Sequence, residues 1–448
     1  MTPSRIREIL DEADVQPSKS LGQNFLCDSN VARWIVDQLE ITSDDCVVEV
    51  GPGTGALTEH IVGKPRKLIL VEFASRLAAY HKLQFADRDD VEVHHADAAS
   101  WDIRPLFKER PVKFIGNLPY SAGGAILSNF LNKPSPVDKA VVMLQKEFID
   151  RIIATHSDDA YGLLSLRIQM NWIPKTLKTI PPEAFTPRPR IDSTVMLLEK
   201  RPVEEFPPYN DKLMDELMRK SFSQRRKQMK KQMPATPPWE EVIQKMGIPA
   251  TARGEDLSLE QWIHLTRIYD PHTCDEGQNA EELLDVVDAE NHPVSKMPRK
   301  QIHDNELRHR AVHIFVTTKK GDLILQKRSH LKDRFPNVWD SSASGHVDAG
   351  ESFEEAALRE LEEELGISEE STELVGSLTA TPNNGMEFVE LRVCNSPHKL
   401  SKVVYPPTEV ESVQAFSPEE IQLWLGRRPQ DFAPGFAECF KLWLSWQK

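Results

Sequence analysis

Short apolar runs separated by stretches of helical period fill the first third of the chain. CVVEV (46–50), KLILVE (67–72), VEVHHAD (91–97), VKFIGNLP (112–119) and AVVMLQKE (140–147) each read as a strand. Strands that alternate with helices predict an α/β fold with a parallel, doubly wound sheet. From about 205 to 270 apolar positions recur at helical spacing without a strand-like run, which predicts a small helical lobe. PHTCDEGQNA (271–280) is polar, contains Pro and Gly, and has no period, as expected of a linker. Beyond it come AVHIFVTT (311–318), DLILQKRS (322–329), a long acidic helix, further strands and a C-terminal helix. The expected organisation is a sheet domain over 1–200, a helical lobe over 201–270, a linker over 271–280 and a second α/β domain over 281–448.

Composition adds limits to this picture. A chain of 448 residues has room for about three units of roughly 150 residues. No run approaches the ~20 apolar residues that cross a bilayer, so no membrane partner is expected. The N-terminus has an amphipathic helical period and lacks the apolar core of a secretion signal. Five scattered cysteines (Cys27, Cys46, Cys274, Cys394, Cys439) without a CxxC pair argue against a disulfide framework or zinc knuckle, and fit a reducing cytoplasm. The net charge of -14 speaks against nucleic acid, but charge is unevenly spread. Arg219 to Gln232 carries seven basic side chains and no acid, whereas 351–373 carries ten acids and one arginine. A phosphate-binding surface and a cation-binding surface are therefore expected in different parts of the chain.

The first chemistry lies at strand ends. VVEVGPGTGALT (47–58) places Gly51, Gly53 and Gly55 between a strand and a helix, where backbone can approach a ligand closely. A nucleotide-type ligand and plain turn geometry both fit this loop. Glu72 ends the next strand about 20 residues on and is placed to accept from ribose hydroxyls, or is a solvated strand end. Asp97, ending the third strand, is either a partner for an adenine amino group or a turn aspartate. Gly116-Asn117-Leu118-Pro119-Tyr120 is more specific. An exocyclic adenine amine is a poor nucleophile until acceptors hold its N–H bonds and localise its lone pair. Asn117 offers a side-chain carbonyl, Leu118 a backbone carbonyl, and Tyr120 a face for an extruded base. Pro119 fixes the turn. No general base is needed, and positioning carries the catalysis.

With these residues in view, KSLGQNFLCD (19–28), VVEVGPGTGALTE, GNLPY, MLQKEFIDRI, PPEAFTPRPRIDSTV (181–195) and SFSQRRKQM resemble the bacterial small-subunit rRNA adenine N6-dimethyltransferase family, in order over about 15–268. The resemblance implies a Rossmann-like sheet binding S-adenosylmethionine. It also implies dimethylation of two adjacent adenosines near the 3′ end of small-subunit rRNA, with the small ribosomal subunit as partner. Cofactor contacts then fall on Gln23, Asn24, Leu26, Gly51, Gly53, Glu72, Asp97 and Asn117. The acceptor base would meet Asn117, Leu118, Tyr120 and Phe185. Ala74 stands where the family usually has an acid and Ser121 where it often has asparagine, which puts the rate in question. Arg219, Lys220, Arg225, Arg226, Lys227, Lys230 and Lys231 are either an RNA-backbone contact or a solvated helix face.

The second chemistry is GHVDAGESFEEAALRELEEELGI (345–367). Ser352 and Glu355 form a capping box that starts a helix. Glu360, Glu363 and Glu364 then share one face at i, i+3 and i+4, while Ala357, Leu361 and Leu365 share another. Crowded carboxylates call for a hard cation, Mg2+ or Mn2+. The segment resembles the Nudix pattern at Gly345, Glu351, Arg359, Glu360, Leu361, Glu363, Glu364, Gly366 and Ile367. That implies an α/β/α sandwich in which metal-activated water attacks a small diphosphate substrate. Glu363 and Glu364 would be ligands and Glu360 a ligand or the general base, with the Gly345 carbonyl and Glu387 as further candidates. Residues 281–367 resemble the branch that contains isopentenyl-diphosphate isomerase and its hydrolase-like relatives. Isomerase chemistry needs a cysteine where this chain has Ser344, so hydrolysis is expected. His346 either contacts phosphate or fills its loop. Against a bifunctional enzyme stand two other readings: an assembly factor with weak methylation and a Nudix docking module, or a large-subunit rRNA methyltransferase.

Overall fold

A computed structural model of the chain describes all residues except 17–23, 157, 271–278, 370, 395–396 and 448. Two compact units emerge, one of residues 1–205 with 214–265 and one of 206–213 with 266–448.

In the first unit seven strands form one sheet. They are β1 (Cys46–Val50), β2 (Lys67–Glu72), β3 (Val91–His95), β4 (Val112–Asn117), β5 (Val137–Gln145), β6 (Trp172–Ile180) and β7 (Ser193–Lys200), in the order β3-β2-β1-β4-β5-β7-β6. β1 is buried at all five positions because both its faces are covered. Cys46, Val48 and Val50 enter one core with Phe114 and Phe130, and Val47 enters the other with Leu68 and Ile115. Two-sided burial is why these strands read as continuous apolar runs. β1 to β5 pair in parallel. From β1 the winding runs outward to β3, then resumes on the other side of β1 at β4, which opens a crevice at the carboxyl ends. β6 and β7 extend the sheet by antiparallel pairing, beyond the five strands expected. β6 gives no apolar run because it is an edge strand holding Pro174, Lys175 and Lys178, with a register shift between Thr176 and Lys178.

The region after β7 is helical, with helices at Asp211–Ser223, Trp239–Met246 and Leu259–Tyr269. Met214, Leu217, Met218, Trp239, Val242 and Trp262 are among its buried positions.

The second unit opens with a hairpin, β8 (Leu283–Val287) and β9 (Pro293–Pro298). Its mixed sheet comprises β10 (His309–Thr317), β11 (Leu323–Arg328), β12 (Ala343–His346), β13 (Thr372–Leu378), β14 (Glu387–Cys394) and β15 (Val410–Phe416), plus the short Trp339–Asp340. β10 shows why helices cover both faces. Val312, Ile314 and Val316 pack with Ala357, Leu361 and Leu365 of the acidic helix Phe353–Leu365. The intervening Phe315 meets Phe436 and Trp443 of the C-terminal helix Phe436–Trp446 on the opposite face. The acidic helix starts where Ser352 Oγ accepts from Glu355 N at 3.2 Å and Glu355 accepts from Ser352 N at 2.9 Å. It stops at Gly366, whose φ of 61° is left-handed. Among the described residues no helix is long and apolar enough to cross a membrane.

Candidate active sites

A cavity of about 280 Å³ opens at the carboxyl ends of β1, β2 and β4. Asn24, Leu26, Gly51, Gly53, Glu72, Asp97, Asn117, Leu118 and Tyr120 all line it. Gln23 lies outside the described residues. The glycine loop is shaped from both sides. Gly53 has φ of 56°, and a Cβ there would sit 3.0 Å from the Phe25 ring. Its N–H donates to Glu72 Oε2 at 3.0 Å, and its carbonyl meets His81 Nε2 at 2.9 Å. The other Glu72 oxygen accepts from Ala74 N at 2.8 Å. Glu72 is thus no solvated strand end but a carboxylate 5% exposed, pushed up by burial. His81 was not visible in the sequence, because its partner is a backbone carbonyl 28 residues away. Asp97 caps a turn, accepting from Ala99 N at 2.9 Å, and it also lines the cavity.

At the acceptor end, Asn117 Nδ2 donates to the Asn24 carbonyl at 3.1 Å, which commits the amide nitrogen and leaves the carbonyl oxygen as acceptor. Leu118 N donates to Met143 O at 3.0 Å, which anchors the Asn117–Leu118 peptide just before the Leu118 carbonyl. The Tyr120 hydroxyl lies 2.8 Å from Ser193 Oγ, which anchors the ring. Phe185 is not brought to the cavity. It is strand-paired with Leu26 and 3% exposed in the core, so its ring supports the wall instead of stacking on a base.

Glu49, in β1, is 1% exposed and accepts from Thr58 Oγ1 at 2.7 Å. Burial pushes its carboxyl up to about 8. The folded state therefore keeps a proton that the unfolded chain releases near pH 4.5. Stability contributed here is full below the unfolded value and falls as pH rises toward 8. Glu49→Gln, neutral at every pH, is expected to gain on the parent from pH 5 to 8 by a few kcal/mol, then level off. Urea unfolding of the first unit across that range tests this, and a pH-independent difference would refute it.

The basic run is less bare in space than in sequence. The helix ends at Ser223, and only Met229–Lys231 regains a 3-10 turn. Arg219 pairs with Asp215 at 2.5 Å, Lys220 with Glu216 at 2.7 Å, Arg225 with Glu255, and Lys230 with Glu240. Arg226, Lys227 and Lys231 are exposed and have no ion pair among the described residues.

In the second unit Glu360 and Glu364 are buried and Glu363 is exposed. Arg359 Nη1 donates to Glu360 at 2.7 Å and to Glu363 at 3.1 Å, while its other nitrogens grip Glu351 at 3.1 and 3.0 Å. Glu364 accepts from Ser344 N at 2.9 Å and Gln326 Nε2 at 2.8 Å, and pairs with Lys332 at 3.2 Å. Burial and the adjacent Glu364 push Glu360 up to about 8, against the opposing pull of Arg359 and Lys332. Gly345 leaves room for the Glu360 carboxylate: a Cβ there would lie 2.0 Å from Glu360 Oε1. Beside it is a cavity of about 90 Å³ lined by Arg299, Arg328, Lys332 and Arg334. The same cavity holds His303, His346 and Glu387. His303, His309 and His346 bring ligand nitrogens within 4.8 Å of one another, and Glu387 approaches His309 and His346 at 3.7 and 3.8 Å. His346 is thus part of a cluster and not a loop filler. Sequence reasoning missed His303 and His309 because they come from separate elements. His309 Nδ1 lies 2.9 Å from the Leu307 carbonyl, the arrangement that leaves Nε2 for a cation.

The chain thus joins a doubly wound sheet with a cavity at its strand ends to a mixed sheet covered by an acidic helix, the architecture of two α/β enzyme-type units. The ribosomal RNA adenine dimethylase model matches residues 15–270 and the NUDIX domain model residues 307–436. The chain belongs to the ribosomal RNA adenine dimethylase family and carries a NUDIX domain after it. Ribosomal RNA small subunit methyltransferase A of Alkaliphilus metalliredigens (strain QYMF) is 36% identical over 282 residues, 60% of this chain and 96% of the relative. Among solved structures, a dimethyladenosine transferase from Plasmodium falciparum matches at 22% identity and TM-score 0.46, covering 54% of this chain and 95% of that one. DR0079 from Deinococcus radiodurans matches at 27% identity and TM-score 0.31, covering 36% and 98%. Both halves are enzyme domains, and the family implies use of S-adenosylmethionine.

Proposed function

We propose that the first unit dimethylates N6 of two adjacent adenosines near the 3′ end of small-subunit rRNA. The second unit, in this reading, hydrolyses a diphosphate-containing small molecule with a divalent cation. The observation that carries the first part is Asn117, its amide nitrogen held by Asn24 and its carbonyl at the cavity beside Leu118 and Tyr120. S-adenosylmethionine, when bound, supplies an electrophilic methyl group. The residues fit it: Glu72 offers a buried acceptor for ribose hydroxyls, and the glycine loop allows close backbone approach. Asn117 and the Leu118 carbonyl hold the amine hydrogens, and Tyr120 offers a stacking face. The small-subunit target is favoured by what the Alkaliphilus relative is named for. Incubating the chain with labelled cofactor and undermethylated small subunits tests this; absence of N6-dimethyladenosine refutes it.

RNA contact then rests on the exposed cations Arg226, Lys227 and Lys231 rather than on all seven of the run. Changing these three to alanine is expected to weaken RNA binding evenly across sequences. The slope of log affinity against log salt should fall by about one per residue removed. An unchanged slope would place the RNA elsewhere.

For the second unit, Glu360 and Glu364 with the Gly345 carbonyl would hold Mg2+ or Mn2+, with Glu363 at the rim. The histidine cluster with Glu387 offers nitrogen ligands for a further cation. Arg299, Arg328, Lys332 and Arg334 suit a diphosphate. A metal-activated water is the nucleophile in this chemistry. Phosphate release should be screened over nucleoside and isoprenoid diphosphates with and without chelator. Turnover that persists after chelation would end the metal assignment.

A further inference from the structure

Outside both sites, three side chains from separate segments of the second unit converge. Glu369 follows the Gly366 stop of the acidic helix, Cys394 ends β14, and His398 lies four residues further on. Their ligand atoms, a carboxylate oxygen, a thiol sulfur and an imidazole nitrogen, all fall within 4.8 Å of one another. Backbone contacts set Cys394 and His398 in place. Cys394 is paired with Thr372 across β13 and β14, and His398 N donates to Thr317 O at 2.8 Å. Glu369 meets His398 Nε2 at 2.7 Å, and among the described residues no lysine or arginine pairs with it. Cys394 is 8% exposed, and the side chains of Glu369 and His398 are 14% and 25% exposed. The cluster is shielded yet open to an ion. Burial and the facing Glu369 push the Cys394 thiol up to about 12, so a role as a free nucleophile does not fit.

We propose that Glu369, Cys394 and His398 bind a divalent cation of the zinc class, as a clip between the loop after the acidic helix and the end of β14. The donor set decides the metal. One sulfur, one nitrogen and one oxygen suit zinc, whereas magnesium takes oxygen alone. Tetrahedral zinc with Zn–S of about 2.3 Å and Zn–N and Zn–O of about 2.0 Å places its ligand atoms roughly 3.3–3.6 Å apart. To reach that spacing the 2.7 Å Glu369–His398 contact would open by about half an ångström, and the Cys394 sulfur, within 4.8 Å of both, would settle to the same range. Charge also closes: a thiolate, a carboxylate and a neutral imidazole around a doubly charged cation sum to zero, with the thiol proton released to solvent. Water would complete the fourth position. No CxxC spacing announces the site, since Glu369 is 25 residues before Cys394 in sequence and meets it only through the β13–β14 pairing.

The test is cobalt substitution in the untagged full chain after chelation and dialysis. A thiolate-to-cobalt charge-transfer band in the near ultraviolet is expected, and added zinc should erase it. Cys394→Ser should abolish the band, while His309→Ala should leave it, which separates this site from the histidine cluster. Glu369→Gln, which keeps the thiol and a neutral acceptor, should weaken cobalt affinity at least about tenfold. No band in the parent chain, a band that survives in Cys394→Ser, or unchanged affinity in Glu369→Gln would each overturn the proposal.

Discussion

Asn117→Ala is expected to lower methyl transfer to ribosomal RNA by a factor of about 10²–10³, the cost of removing one preorganised polar group aimed at a reacting centre. Asn117 is held before substrate arrives, because its Nδ2 donates to the Asn24 carbonyl at 3.1 Å. Alanine removes both that anchor and the acceptor for the adenine amine. The structural loss is small: one partly exposed hydrogen bond contributes about 1 kcal/mol, so the unfolding midpoint should barely move. Asn117→Asp is a sharper probe. It keeps an oxygen but faces the Asn24 carbonyl with a second acceptor, so it should misplace the group it retains. Tyr120→Phe should keep most activity, because only the contact to Ser193 is lost and the stacking face remains. The readout is N6-dimethyladenosine in digests of undermethylated small subunits. Transfer by Asn117→Ala at the parent rate would remove the acceptor site from this strand end.

In the other half, Gly345→Ala is expected to depress diphosphate hydrolysis about 100-fold or more. The added Cβ would stand 2.0 Å from Glu360 Oε1 and 2.2 Å from its Cδ. Glu360 is 8% exposed and bound to Arg359, so it has little room to retreat. Either β12 or the carboxylate must shift by an ångström or so, and displacement on that scale costs about 10² in rate. Methylation by the same molecule is the internal control, and it should not change. Hydrolysis at the parent rate by this variant would show that Glu360 does not act at the phosphate.

What was legible in the sequence was local. The five parallel strands could be read because two-sided burial makes them uniformly apolar, as at Cys46–Val50. The acidic helix could be read because Ser352 and Glu355 mark its start and Glu360, Glu363 and Glu364 share one face, all within one segment. Asn117, Leu118 and Tyr120 sit on one turn, so their convergence at the cavity needed no tertiary knowledge. Tertiary placement was what stayed hidden. His303, His309 and His346 meet only after β12 pairs with β10. The basic run looked free of acids until folding set Glu255 beside Arg225 and Glu240 beside Lys230. Phe185 looked available from its motif, yet pairing with Leu26 turns it into the core.

The grip on Gly53 also shapes how this chain meets its small ligand. With the Gly53 N–H fastened to Glu72 and the Gly53 carbonyl to His81, the turn loses its disorder when the protein folds rather than at the moment of encounter. Capture should therefore resemble docking onto a rigid surface: a single kinetic phase, association linear in ligand concentration, and little change in amide exchange at the loop.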